Sequence, residues 1–427
     1  MTAPAITGSN AVMTTIADYS EILYFHCMVL VEEAEKIILK YCKDFGTESV
    51  PLNESLGRVL AEDILADRDL PPFDRVTMDG VAIRYKGFRL GIRQFRIKAT
   101  QAAGEPPVDI SSDDECIEIM TGAMLPSSTD TIVPYEDIDI ADGKATMTSD
   151  DIRAYQNIHH RGKDKKQHEL LVAAKTFITP DLITVASAVG MNSLVVKKNP
   201  RVIIISTGDE LVDIDDVPKT FQVRRSNNYA LHAALKQYCV SADMLHLPDA
   251  AEIIQVRLQQ CVQDYDVILL SGGVSMGKFD FVPEALEKLQ VKKLFHKVRQ
   301  RPGKPFWFGE YTNGALVFAF PGNPVSTFLC FHRYFMPWLK ASWGITHRPS
   351  YAILNTDFAF RAPLQYFLQV KLDNDPNGQL LATPIEGHGS GDFVNLLATD
   401  AFLELPMGRE EFKRGEVFPA WIFKQMI

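Results

Sequence analysis

Apolar residues recur at helical spacing in three stretches of the chain. The first begins at Val31 and has one apolar face, formed by Ala34, Ile37, Ile38 and Tyr41. The second covers residues 53–63. The third covers residues 152–196 and includes a helix over 180–189, whose proline suits a first helical turn. These stretches predict a helical linker domain in two parts.

Two other regions have short apolar runs without helical spacing. Between about residues 73 and 148, such runs at 81–83, 116–120 and 131–133 are interrupted by Gly, Pro, Asp and Ser. From about residue 348 onward, short alternating segments return. Both patterns of short apolar runs are typical of small β-rich domains.

The remaining region alternates buried strands with helices. Continuous apolar runs at 202–206, 267–270 and 316–320 indicate strands that are covered on both faces. Helical patterns follow them, and Ser226 is a predicted N-cap. Strands that alternate with helices predict a parallel sheet. We therefore predict an α/β multidomain protein with the following parts: helical linker 21–68, β-rich domain 69–150, helical linker 151–197, parallel α/β domain 198–345, and C-terminal β-barrel 346–427.

Composition and charge exclude some classes of function. The 427 residues include 54 acidic and 44 basic ones, for a formal charge of −10, which argues against general nucleic-acid binding. The apolar run at 22–31 is too short to span a membrane, and no basic segment precedes it. Six cysteines without a CxxC pair indicate buried, reduced thiols. We expect a cytoplasmic protein with no nucleic-acid or membrane partner.

Candidate chemistry lies in the loops after the three predicted strands. Ligands of an open parallel sheet bind beyond the carboxyl ends of its strands. These loops, at 206–210, 271–277 and 321–326, are rich in small residues that let backbone amides approach an anion. A single loop of this kind is more often only a tight turn, whereas three on one sheet edge favour an anion site.

Charged residues accompany these loops. Asp209, Glu210 and Asp280 suit a site where a divalent cation bridges carboxylates and a phosphate, although helix capping is an alternative for Asp209. The run at 299–305 places three cations on a stiff turn, which indicates an anionic ligand, or else a solvated surface loop. The nicotinamide-binding motif G-x-G-x-x-G is not found after the first strand.

Six collinear motifs resemble the molybdopterin molybdenumtransferases, the MoeA and gephyrin E-domain family. They are Leu70 to Asp74 with Thr77 to Gly80, Met120 to Ala123, Ser206 to Leu211, Ser271 to Gly277, Arg301 to Pro305, and Pro321 to Ser326. The resemblance implies an enzyme that inserts molybdenum from molybdate into adenylylated molybdopterin and releases AMP. It also implies Mg²⁺ and a homodimer with an intersubunit active site.

The resemblance assigns roles to residues of this chain. It implies catalytic roles for Asp280, Glu210, Lys304, Asp74 and Thr121, with Glu210 and Asp280 also as metal ligands. Residues implied to bind the pterin nucleotide are Gly272, Gly273, Ser275, Gly277, Thr207, Gly208, Asp79, Pro321, Gly322 and Asn323. Residues implied to bind molybdate are Arg301, Lys304, Ser326, Arg361 and Ser390.

The chain also departs from the family pattern. Arg75 and Val76 stand where members commonly have Asn-Ser, and Arg225 stands where members often have Asp. Reversing the charge at position 225 keeps a second interpretation open, that of a molybdopterin-binding scaffold without turnover. A third is a molybdopterin adenylyltransferase, which the MogA-like central domain resembles, although those proteins are short single domains.

Overall fold

The computed structural model describes residues 28–274, 280–346, 348–387 and 389–424. Two compact units divide the chain: Ser49–Val196 forms one, and the segments on either side of it form the other. The chain enters through helix α1 (Val31–Leu39) and strand β1 (Thr47–Pro51). Most of the apolar run at 22–31 lies outside the described residues.

The unit Ser49–Val196 is built mainly from strands. Its elements are β2 (Ile64–Leu65), β3 (Arg75–Val76), β4 (Gly80–Ile83), α2 (Tyr85–Arg89), β5 (Gln94–Gln101), β6 (Glu115–Ile119), β7 (Thr131–Pro134), β8 (Ile138–Ala141), β9 (Lys144–Met147), β10 (Ile158–His159), β11 (Leu170–Val172), α3 (Pro180–Ala188) and β12 (Ser193–Lys197). Six strands form one sheet in the order β7-β4-β6-β5-β9-β8. The predicted β-rich texture is therefore confirmed, and apolar side chains such as Val81 and Ile117 pack in two buried clusters.

Helix is scarcer in this unit than the spacing predicts. The helix predicted over 53–63 is wrong, since helical structure there is a single 3-10 turn at Leu52–Glu54. Val59 and Leu60 are buried through isolated β-bridges to Phe177 and Val196 instead. Within 152–196, the one described α-helix is α3, whose predicted first-turn proline is Pro180. Tertiary pairing overrides the local spacing in both places.

The other unit contains the α/β sheet. Its elements are β13 (Val202–Thr207), β14 (Leu211–Val212), β15 (Val223–Arg224), α4 (Asn227–Lys236), β16 (Ala242–Leu247), α5 (Ala251–Asp264), β17 (Val267–Ser271), α6 (Val282–Lys288), β18 (Lys292–His296), β19 (Gln300–Arg301), β20 (Trp307–Glu310), β21 (Leu316–Phe320), α7 (Pro324–Cys330) and α8 (Met336–Ser342). A π-helical turn at Phe331–Phe335 joins α7 to α8.

The sheet order is β16-β13-β17-β21-β20-β18. Strands β13, β17 and β21 are the three predicted strands, and they are parallel and buried over their full length. Strands β20 and β18 run antiparallel at one edge and were not predicted. The predicted α/β architecture is confirmed, and the three predicted strands, which are parallel, end at one edge, as does the parallel strand β16, which was not predicted.

The C-terminal strands close into a barrel. They are β22 (Ser350–Leu354), β23 (Phe358–Ala359), β24 (Gln365–Asn374), β25 (Leu380–Pro384), β26 (Ala401–Leu405), β27 (Glu411–Phe412) and β28 (Val417–Ile422). Pairing runs from β24 through β25, β22, β28 and β26 and back to β24, so the ring leaves no free edge among these five strands. Strand β19 pairs with β24, which ties the turn after Arg301 to the barrel.

The cysteines fit the predicted pattern in part. Cys116, Cys261 and Cys330 are free and buried, whereas Cys239 is exposed, which corrects the expectation that it is buried. Cys27 lies outside the described residues. No helix within the described residues is both long and apolar enough to cross a membrane.

Candidate functional site

A cavity of about 890 Å³ lies at the carboxyl ends of β13, β17 and β21. The three loops predicted from the sequence converge on it. Eight residues of the predicted site line it: Thr207, Gly208, Glu210, Gly272, Gly273, Asp280, Gly322 and Asn323. Pro321, which precedes Gly322 in the chain, is buried and is not among the residues that line the cavity. Its carbonyl accepts a hydrogen bond from Thr327 Oγ1 at 2.5 Å. Ser275 and Gly277 lie outside the described residues.

Close backbone packing explains the glycines after β17. Gly273 has φ +66°, and a Cβ atom there would lie 2.6 Å from Thr207 Oγ1 and 2.9 Å from Val282 Cγ2. A Cβ on Gly322 would lie 3.4 Å from Gly272 Cα. A Cβ on Gly272 would lie 3.0 Å from the Thr207 carbonyl oxygen, so the three loops pack closely at these glycines.

Asn227, the first residue of α4, joins two of these loops. Its Nδ2 donates to Ser271 Oγ and to the Gly322 carbonyl, both at 2.8 Å. A third, longer bond reaches Thr327 Oγ1 at 3.3 Å. This side chain holds the start of α4 against the sheet edge, a role that was not predicted from the spacing of residues.

Three lining residues have buried polar atoms without a partner in the described part of the chain. They are Thr207 Oγ1, Asn228 Oδ1 and Arg225 Nε. Thr207 is 4% exposed and Asn228 is 2% exposed. Buried polar groups are nearly always hydrogen-bonded, so a cluster of unpartnered ones marks a place that a ligand or water completes.

Carboxylates crowd one side of the cavity. Burial raises the pKa of Asp249, and the charges of Asp209, Glu210 and Asp280 raise it further. The backbone amide of each residue also donates to the other's carboxylate: Asp249 N to Asp209 Oδ1 at 3.0 Å, and Asp209 N to Asp249 Oδ2 at 3.4 Å. Sequence analysis did not single out Asp249, because it follows a strand that was not predicted.

This charge suits a divalent cation only together with a ligand. Within the described residues, no three His, Cys, Asp or Glu side chains lie close enough to hold a metal ion by themselves. Mg²⁺ commonly takes one or two carboxylates and completes its shell with substrate phosphates and water. The crowded carboxylates, Glu210 and Asp280 among them, fit that donor set.

A smaller cavity of about 170 Å³ adjoins the barrel. Of the residues predicted to bind molybdate, Arg301 and Ser390 line it. Ser390 also bonds the third loop, because Asn323 Nδ2 donates to its Oγ at 2.7 Å and Val325 N donates to its carbonyl at 3.2 Å. Asn323, which lines the larger cavity, is therefore hydrogen-bonded to Ser390, which lines the smaller one.

The other three predicted molybdate residues are placed differently. Ser326 is 3% exposed within α7. Lys304 follows Gly303, where a Cβ would lie 2.6 Å from Gln300 Nε2 and 2.7 Å from Cys330 Sγ. Arg361 has an 84% exposed side chain and lies 3.9 Å from Glu410. None of the three is among the described residues that line either cavity.

Asp74, Asp79 and Thr121 belong to the unit Ser49–Val196. Thr121 N donates to Asp79 Oδ1 at 2.6 Å, and this bond lowers the pKa of Asp79. Asp74 Oδ1 accepts a bond from Arg161 N at 2.7 Å. Both carboxylates therefore stabilise loops of that unit, as Asp commonly does in turns.

Together, the fold and cavity define a multidomain α/β protein with a ligand-sized cavity at the carboxyl edge of its sheet. Family models match three parts of the chain: the MoeA N-terminal region (domain I and II) at residues 29–190, a probable molybdopterin binding domain at 203–341, and the MoeA C-terminal region (domain IV) at 351–423. The chain belongs to the MoeA family.

Individual proteins show the same similarity. The chain is 39% identical over 399 residues to a molybdopterin molybdenumtransferase of Synechocystis sp., covering 92% of this chain and 100% of the relative. It is 30% identical over 409 residues to the protein of that name from Bacillus subtilis, covering 92% and 94%. A crystal structure of the molybdopterin biosynthesis MoeA protein from Pyrococcus horikoshii superposes with a TM-score of 0.79 at 28% identity, covering 93% and 100%.

Proposed function

We propose that this protein is a molybdopterin molybdenumtransferase that inserts molybdenum from molybdate into adenylylated molybdopterin. The observation that carries the proposal is the cavity where three strand-end loops meet, with unpartnered polar atoms around it. Its volume, about 890 Å³, is within the range of a small-molecule site. The names of the full-length relatives support the choice of reaction.

In the proposed reaction, water adds across the phosphoanhydride of the substrate and AMP leaves. Molybdate exchanges one oxo ligand for the two dithiolene sulfurs, and the oxygen leaves as water with the two thiol protons, without a change in the oxidation state of molybdenum. Gly272 and Gly322 pack closely and bring no side chain of their own to this edge, so a phosphate can approach the loop backbones. The Gly272 amide already donates to the Phe320 carbonyl at 3.2 Å, so other amides of the loops would bind the phosphates. A divalent cation held by Glu210 and Asp280 would neutralise developing phosphate charge when bound. Arg301 and Ser390 border the space proposed for molybdate, with Lys304 and Ser326 on adjoining segments.

Two substitutions test the proposed site. We expect Asp280→Ala and Lys304→Ala to abolish formation of molybdenum cofactor from adenylylated molybdopterin and molybdate while circular dichroism stays unchanged. Matched controls on the same sheet domain are Asp264→Ala, on the exposed end of α5, and Lys288→Ala, whose side chain is 52% exposed. Normal product yield from both site variants would refute the assignment.

The family resemblance also supports a homodimer whose active site lies between subunits, with Asp74, Asp79 and Thr121 contributing to it. Analytical ultracentrifugation tests the dimer. A chain that remains monomeric at micromolar concentration while it is fully active would refute an intersubunit site.

A further inference from the structure

Arg225 is a mostly buried cation at the cavity. Its side chain is 15% exposed, and the residue lines the cavity just before α4. Sequence analysis noted it only as a charge reversal. The structure shows how a positive charge is accommodated at this position.

The guanidinium has a fixed orientation. One terminal nitrogen donates to Asp213 Oδ2. The other oxygen of that carboxylate accepts bonds from Tyr229 OH at 2.9 Å and from Ile214 N at 2.7 Å. These bonds fix the Asp213 carboxylate, which accepts from one terminal nitrogen of the guanidinium. The guanidinium has five N–H donors, so others remain that Asp213 does not use.

One of the remaining donors, Arg225 Nε, is buried and has no hydrogen-bond partner within the described residues. Asp213 is the one side chain that Arg225 hydrogen-bonds in the described ranges. Thr207 Oγ1, which is also unpartnered, belongs to the same cavity lining. A buried donor without a partner costs free energy unless a ligand or a water completes it, and the positive charge of the guanidinium favours an anionic ligand.

The charges around the cavity favour a role for this cation. The lining carries the carboxylates Glu210, Asp249 and Asp280, which repel a phosphate. His246 does not offset them, because burial, and then the charge of Arg225, lower its pKa, which leaves the imidazole neutral near pH 7. The other lining cation, Arg224, is exposed, and its Nε donates to the Asp216 carbonyl at 3.1 Å.

We propose that Arg225 binds a phosphate of the nucleotide portion of the ligand, with Asp213 and Tyr229 as positioning residues that orient its guanidinium. The inference rests on the proposed function, since it takes the ligand to carry a nucleoside monophosphate group. The planar fork of arginine matches phosphate oxygens, which a lysine ammonium cannot reproduce.

The test compares two probes that differ only in the phosphate, AMP and adenosine, by isothermal titration. For Arg225→Gln we expect AMP binding to weaken at least about tenfold, with adenosine binding changed less than about twofold. Arg225→Lys should recover part of the loss, and Tyr229→Phe should give a smaller one. The control is Arg257→Gln, an exposed arginine on α5 that donates to Gln260.

Each outcome decides the matter. Equal losses for AMP and adenosine, with a lower melting temperature, would show that Arg225 only holds its loop and would overturn the inference. Wild-type protein that binds AMP no tighter than adenosine would overturn it too. If Arg225→Gln binds AMP normally while wild type makes cofactor, the inference fails and the proposed function stands. If Arg225→Gln weakens AMP binding but the wild-type protein forms no cofactor, the inference about Arg225 stands and the proposed function fails.

Discussion

Gly273→Ala tests whether close packing of the loops builds the cavity. The left-handed φ of +66° costs an alanine about 1–2 kcal/mol. Overpacking against Thr207 and Val282, whose atoms lie 2.6 and 2.9 Å from the added Cβ, costs about 1–3 kcal/mol more. We therefore expect the free energy of unfolding to fall by about 2–5 kcal/mol, unless the loop shifts and widens the cavity instead.

Urea denaturation and ligand titration together separate these responses. The matched control is Gly391→Ala, because Gly391 lines the same cavity but has nothing within 4 Å of an added Cβ. The control should stay within about 0.5 kcal/mol of wild type. Gly273→Ala with wild-type stability and wild-type AMP affinity would refute the packing argument.

Two further substitutions test the energetics away from the loops. Arg333→Met should lower the free energy of unfolding by about 3–5 kcal/mol, because Arg333 is 3% exposed and its loss leaves Glu404 buried without its cation. In the same urea titration, Arg361→Met should change the free energy of unfolding by less than about 1 kcal/mol, because the Arg361 side chain is 84% exposed. Equal effects of the two substitutions would contradict this prediction. Asp249→Asn tests the raised pKa of Asp249. The wild-type carboxyl favours folding at low pH and loses that contribution as pH rises from its usual pKa through the raised one. The stability of the variant relative to wild type should therefore increase through that interval and stay constant above it. Melting curves from pH 4 to pH 8 with a constant difference would contradict the sign.

The sequence predicted the core of the sheet because its strands are apolar on both faces. Runs such as that of β13 are typical of strands covered on both faces, and the positions of the loops at their ends follow from the parallel arrangement. The edge strand β16 was missed because it is half exposed and its consecutive residues Asp243 and Met244 are both exposed, which breaks the apolar run. The helix predicted over 53–63 failed because Leu60 pairs across the chain with Val196.

The candidate site was predictable to a similar extent. The glycine loops could be found because small residues at the ends of parallel strands let the backbone approach a ligand closely. The pairing of Arg225 with Asp213 could not be predicted, since the two residues are twelve positions apart and meet only through the conformation of the segment between them. Arg361 was assigned by resemblance alone, and its exposed pair with Glu410 gives that assignment no support from the cavities.

One measurement tests the central claim most directly: a single-turnover reaction of the purified protein with adenylylated molybdopterin and molybdate, in which AMP and molybdenum cofactor are both counted. The account predicts that the two products appear together in equal amounts, and that neither appears with Asp280→Ala. AMP without cofactor, or cofactor without AMP, would contradict the coupling of phosphoanhydride hydrolysis to metal insertion at this cavity.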